Sequence, residues 1–208
     1  MPSIPPPPEN LDNIRRIGVV ADTHIPDRVR SLHPDLITGL KAAEVDLIIH
    51  AGDICAPAVL TELSQVAPVV AVRGNRDWVF AGTLPWVQII TIWELRIVIQ
   101  HGMGSFWLYW FDKMKYATVG YQFPRYKHLL QKIAPGNDVY IFGHTHRSEN
   151  RREGEVLYFN PGAASITPLF RVNPSFGVLY LDGSRGVTGE VISMRPLQVE
   201  RGNWVIPK

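Results

Sequence analysis

One cysteine, Cys55, stands in 208 residues. No disulfide framework can staple this chain, and a reducing, cytoplasmic setting is expected. Charge is scarce and nearly balanced. Charged residues make up 19% and the formal net charge is +2, too little to argue for nucleic-acid binding from electrostatics alone. No apolar run approaches the roughly 18 residues of a membrane-spanning helix. The opening MPSIPPPPENLDN lacks the apolar segment of a secretory signal, and no internal repeat is visible. What remains is 46% hydrophobic, a globular composition in a chain long enough to bury a core unaided.

Five prolines fall in residues 1–13: Pro2 and Pro5 to Pro8. Such a run favours extended polyproline II and has little apolar surface to bury, so 1–13 is expected to be a flexible tail ahead of a single domain over 14–208. That domain opens with the apolar run from Arg16 to Ala21. Helical stretches at 32–43 and 57–65 alternate with apolar runs at 45–50 and 69–72. Continuous β-branched runs between helices predict parallel strands buried on both faces. Val87 to Trp93 and Leu95 to Gln100 read as a hairpin, 124–133 as a helix, and 139–142, 156–159, 176–181 and 187–194 as strands. About nine strands with three or four helices pack most simply as a four-layer αββα sandwich, two mixed sheets flanked by helices.

Five of these strands end on a metal-ligating type of residue beside a glycine or sharp turn. The segments are Asp22-Thr23-His24, Gly52-Asp53, Gly74-Asn75, His101-Gly102 and Gly143-His144-Thr145-His146. In α/β sheets, sites form at the carboxyl ends of strands. The i, i+2 spacing of Asp22/His24 and His144/His146 would put each pair on one face of an extended chain. Each segment alone is weak; five in this order point to one shared site. Two carboxylates, one amide and four imidazoles are too many ligands for one transition ion and suit two. The imidazole share favours Mn, Fe, Ni or Zn over Mg or Ca. Cys55 reads as a small buried residue outside that set.

The string D-x-H, G-D, G-N-x-D, H-G, G-H-x-H over roughly residues 16–165 resembles the calcineurin-like metallophosphoesterases. The Gly143–Arg147 run and the following Asn160-Pro161-Gly162 are most similar to the small, YfcE-like phosphodiesterase branch. The resemblance implies the same αββα sandwich. It implies that Asp22, His24, Asp53 and His146 hold one ion, and that Asp53, Asn75, His101 and His144 hold a second, with Asp53 bridging. Manganese is the first choice; nickel, iron or zinc are alternatives. Two divalent ions against two carboxylates and a bridging hydroxide leave about one positive charge, which attracts an anion. Attack of that hydroxide on a small phosphodiester is the expected reaction. A phosphomonoesterase or nucleotidase on the same site is one alternative. A non-catalytic interaction scaffold like the retromer small subunit is another, and a slow phosphate or nucleotide sensor a third.

Two positions depart from the family pattern. Arg76 stands where many relatives have histidine. It stays protonated and is a poor acid, but it can bind phosphate oxygens bidentately. Arg76 and Asp77 are the candidate catalytic residues, an ordinary surface pair being the alternative. Met103 replaces a second histidine and receives no role. His50 suits either a hydrogen bond behind the site or a satisfied core position. His33 and His128 read as surface or helix residues, and Arg28 and Arg147 lie close enough in sequence to touch phosphate. Asn160-Pro161-Gly162 reads as a turn shaping the pocket wall. Nine of the 21 aromatic residues fall within 106–126, as a packed segment, a substrate rim or a homo-oligomer patch.

Overall fold

The computed structural model describes residues 11, 13–80, 82–102, 120–166 and 172–207. Twelve strands and three α-helices lie in them. The strands are β1 (Arg16–Val20), β2 (Leu47–His50), β3 (Val69–Ala71), β4 (Val87–Ile92), β5 (Leu95–Gln100), β6 (Val139–Ile141), β7 (Ser148–Glu153), β8 (Val156–Pro161), β9 (Ser175–Leu181), β10 (Val187–Ser193), β11 (Gln198–Glu200) and β12 (Asn203–Val205). The helices are α1 (Pro34–Ala42), α2 (Pro57–Leu63) and α3 (Phe123–Ile133). All but Leu11 and Asn13 of the proline-rich tail, and residues 106–119 of the aromatic segment, lie outside the described residues.

Ten of the strands form two five-stranded sheets, ordered β10-β9-β1-β2-β3 and β4-β5-β6-β8-β7, and β11 and β12 pair antiparallel as a separate two-stranded sheet. In the first, β1, β2 and β3 are parallel, β9 runs antiparallel to β1, and β10, antiparallel to β9, runs in the direction of β1 again. In the second, β5, β6 and β8 are parallel and β4 and β7 are antiparallel edges. Both sheets are mixed, as the sequence predicts.

Alternation along each strand builds the layers. Ile17 and Val19 of β1 pack with Ile97 and Ile99 of β5 and Phe159 of β8, in the core between the sheets. Val20 turns outward and meets Leu36 and Leu40 of α1 and Leu60 and Leu63 of α2. On the far side Val98, Tyr140 and Tyr158 receive Phe123 and Leu130 of α3. The order is helices, sheet, sheet, helix: the αββα sandwich. Of the aromatic segment, Tyr121 stacks on Tyr126 and Phe123 packs edge-on against Tyr158, so its described end serves this outer layer.

Three strands escape the sequence reading. β7 reads SENRRE and is mostly exposed; a charged edge strand has no apolar alternation to betray it, and its charges discourage pairing with another chain. β11 and β12 have three residues each. His33 also corrects an expectation. It is buried, caps α1 by accepting from Asp35 N at 3.1 Å, and stands edge-on to Trp204. His128 is exposed on α3, as expected. Among the described residues no helix is long and apolar enough to cross a membrane.

Candidate metal centre

The five parallel strands β1, β2, β3, β5 and β6 run into Asp22, Asp53, Asn75, His101 and His144 at their carboxyl ends. The convergence predicted from the sequence is present, but its local cause differs. Asp22, His24, Asp53, His144 and His146 have φ values of 55°, 50°, 55°, 69° and 56°. These residues are left-handed, not extended, so the i, i+2 pairs converge through tight turns and not along one strand face. At roughly 1 kcal/mol or more each, five such residues store strain on the scale of a domain's net stability. Backbone bonds hold it: Asp22 N donates to Gly52 O at 3.0 Å and His24 N to Asp53 O at 3.0 Å.

Two clusters of ligand atoms result, Asp22–His24–His146 and Asp22–Asp53–His101. His24 Nε2 and His146 Nε2 stand 3.1 Å apart. Asp22 Oδ1 is 3.1 Å from His146 Nε2 and 3.6 Å from His24 Nε2. Asp53 faces both sides, with Oδ2 3.7 Å from His24 Nε2 and Oδ1 3.4 Å from His101 Nε2. Asn75 and His144 meet at 3.2 Å, and the His144 ring lies 5.1 Å from that of His101. All seven side chains singled out from the sequence therefore neighbour one another.

The donor set fits divalent cations. Asp22 Oδ1 and His101 Nε2 are buried with no hydrogen-bond partner. Leaving such atoms bare costs of order 1–3 kcal/mol each. His101 Nδ1 donates to Ala51 O at 2.8 Å, which leaves Nε2 as the nitrogen that would ligate a cation once its proton is displaced, the usual orientation of a ligating histidine. Burial pushes Asp22 up, but the imidazoles of His146, His24 and His101 outweigh it and hold the carboxyl well below its usual range. Burial likewise opposes His101, yet Asp53 and Asp22 raise it to about 10. The mutual charge stabilisation of carboxylates and imidazolium stands in for what a cation would supply.

Arg76 and Asp77 part company. Asp77 is buried, and its oxygens accept from Gly74 N and Cys55 N at 2.7 Å each. Arg76 lies at the mouth and pairs with Asp27 at 2.7 Å. The Arg76–Asp77 surface pair does not form. Arg28 donates to Ile166 O and sits 3.1 Å from His146 Nδ1, while Arg147 lies over the Tyr121 ring. Cys55 is half-buried, not buried as expected.

A family model described as the calcineurin-like phosphoesterase superfamily domain matches residues 16–184. The chain belongs to that superfamily. It is 34% identical over 169 residues to a probable metallophosphoesterase of Methanothermobacter thermautotrophicus, spanning 81% of this chain and 87% of that one. Over 120 residues it is 32% identical to the phosphodiesterase YfcE of Escherichia coli, spanning 53% of each. Vps29 of Cryptosporidium parvum matches in fold, with a TM-score of 0.64 at 20% identity over 87% of this chain and 99% of that one.

Behind the seven candidate ligand residues stand groups that the sequence pointed to only faintly. Asn160 is fully buried. Its Nδ2 donates to Gly143 O at 2.9 Å and Thr145 Oγ1 at 3.1 Å, and its Oδ1 accepts from Gly162 N. Asn160 thus braces the loop that carries His144 and His146. Asn160→Ala leaves these groups unsatisfied and should cost ~1–3 kcal/mol of stability, with metal affinity lower by about tenfold. Chemical denaturation and metal titration check both. Ser165 Oγ donates to Asp22 O at 2.7 Å, a contact with no sequence signal.

His50 satisfies both sequence readings, a core histidine with both ring nitrogens bonded and a group bonded to the segments that carry Asp22 and Asp53. It is buried between Thr23 Oγ1 and Gly52 N, both at 3.2 Å, and burial pushes it down to about 3. A lowered histidine contributes stability above its unfolded pKa near 6.5 that drains away as pH falls towards the folded value. Asp77, raised by burial to about 6, acts in the opposite sense, so a difference measurement is cleaner. The stability gap between the metal-free wild type and His50→Asn should shrink by ~1 kcal/mol per pH unit from pH 6.5 to 4. Urea titrations at several pH values check this; a constant gap would remove His50 from the account.

Proposed function

We propose that this chain is a dinuclear metal-dependent phosphodiesterase. The observation that carries the reading is that Asp22 belongs to both clusters and Asp53 reaches both, with Oδ2 facing His24 and Oδ1 facing His101, beside buried ligand atoms that have no hydrogen-bond partner. Asp22, His24, Asp53 and His146 would hold one cation. Asp53, Asn75, His101 and His144 would hold the other, and manganese suits this mix of oxygen and imidazole donors. Bound there, the two cations would supply a water acidic enough to be the nucleophile at neutral pH and would neutralise phosphoryl oxygens.

The chain's own residues do the rest. The left-handed turns fix the ligands before substrate arrives. Arg76, half-exposed at the mouth, can leave Asp27 for a phosphate oxygen and stabilise the charge that grows on it. It donates a proton poorly, so esters with good leaving groups are favoured. Asp77 holds the backbone at Gly74 and Cys55 and is a positioning residue. The modest positive charge of the filled site suits the single anionic charge of a diester, and YfcE, a relative at 32% identity, is itself named a phosphodiesterase.

The test is to strip the protein with a chelator, reload it with Mn²⁺, count metal by elemental analysis, and compare an aryl phosphodiester with the matching monoester. Two ions per chain with faster diester turnover is the expected result. Faster monoester turnover would make it a phosphomonoesterase. Metal without turnover of either ester would favour a scaffold or sensor. No metal uptake would remove the centre altogether.

A further inference from the structure

A third group of ligand atoms lies beside the centre and shares only His24 with it. Cys55, Asp27 and His24 place a sulfur, a carboxylate oxygen and a ring nitrogen within 4.8 Å of one another. Asp27 is exposed, Cys55 half-buried and His24 buried. Cys55 Sγ stands 3.9 Å from Asp27 Oδ2. In a tetrahedral zinc site, metal–sulfur and metal–oxygen bonds put such atoms about 3.5 Å apart, so these two need to close by only a few tenths of an ångström. Cys55 is held in a left-handed conformation with φ of 71°, and its backbone N–H is tied to Asp77 Oδ1 at 2.7 Å. The backbone of Cys55 is thus fixed in place.

An independent observation comes from His24. Its Nε2 is turned towards Asp22, Asp53 and His146. Its Nδ1 is buried and has no hydrogen-bond partner. We propose that Cys55, Asp27 and His24 form a lateral site for a thiophilic divalent cation such as Zn²⁺ or Cd²⁺, distinct from the pair of cations proposed above. Thiolate, imidazole and carboxylate together select a borderline-soft ion over Mg²⁺ or Mn²⁺. Filling the site takes Asp27 from Arg76 and draws on His24, so it competes with the neighbouring cation. That consequence rests on the proposed function; the site itself does not.

Cys55 is the only thiol in the chain, so a thiolate-to-cadmium ultraviolet band has a single source. The experiment titrates the chelator-treated full chain with Cd²⁺. The band should appear in the wild type and be absent from Cys55→Ser and Cys55→Ala, with circular dichroism confirming that the variants fold. Asp27→Asn should raise the band's midpoint by at least about tenfold, the smallest loss seen when even a supporting group of a metal site is removed. Loading with Mn²⁺ beforehand should raise it several-fold, because His24 is then committed. No band in the wild type, or an unchanged midpoint in Asp27→Asn, overturns the site. An unchanged midpoint after Mn²⁺ loading removes His24 from it. The band needs no turnover, so a chain that hydrolyses nothing but shows it keeps this site and loses only the proposed reaction; a hydrolase without the band does the reverse.

Discussion

Asp53→Asn should leave a folded protein that holds at most one metal ion per chain, where the wild type is expected to hold two, and that turns over a phosphodiester about 10²–10⁴-fold more slowly, the kinetic equivalent of several kcal/mol. The reason lies in which atoms the substitution keeps. Asp53 Oδ1 accepts from Arg76 N at 2.9 Å, and asparagine retains that oxygen, so the loop after β3 keeps its anchor. What is lost is the negative charge and the second ligating oxygen, the one facing His24. His101 also loses the carboxylate that is the main cause of its raised pKa. Elemental analysis after Mn²⁺ loading and a thermal melt separate loss of metal from loss of fold. Near-normal turnover with two ions retained would show that Asp53 is not the shared ligand.

How much of this could be read in advance depends on whether the cause is local. The parallel strands were legible because Val, Ile and Leu runs announce burial on both faces, and the glycines after them announce turns. The seven ligand-type residues were legible for the same reason: each sits just past a strand that could be located. The polar edge strand β7 had no such signature. His33 was misplaced because Trp204, 171 positions further on, packs edge-on to it, and nothing near residue 33 signals that contact. The pairing of Arg76 with Asp27 spans 49 positions and was equally invisible. Convergence through left-handed turns in place of extended chain is the subtler case. Spacing alone fits both geometries, and only the backbone angles separate them.

Gly74→Ala tests whether this close packing, and not ligand chemistry alone, makes the centre. Gly74 follows β3 and faces Asp53 across the strand ends. A Cβ on Gly74 would lie 2.2 Å from Asp53 Oδ1 and 2.5 Å from Asp53 N. The second contact is backbone, so no rotamer change relieves it; the β3 loop or the turn at Asp53 must move. Overpacking of this kind costs ~1–3 kcal/mol or more. Because the displaced group is a carboxylate that faces His24 of one cluster and His101 of the other, metal affinity should fall together with stability, although no ligand has been replaced. Gly136→Ala is the matching control. Gly136 has φ of 74° and nothing within 4 Å of a would-be Cβ, so alanine there costs ~1–2 kcal/mol of backbone strain and should leave metal uptake intact. Urea denaturation and metal titration on both variants decide it. If Gly74→Ala loses stability but binds metal like Gly136→Ala, the contact between Gly74 and Asp53 is packing without consequence for the centre. If only Gly74→Ala loses metal, the position of Asp53 is set by the backbone beside it.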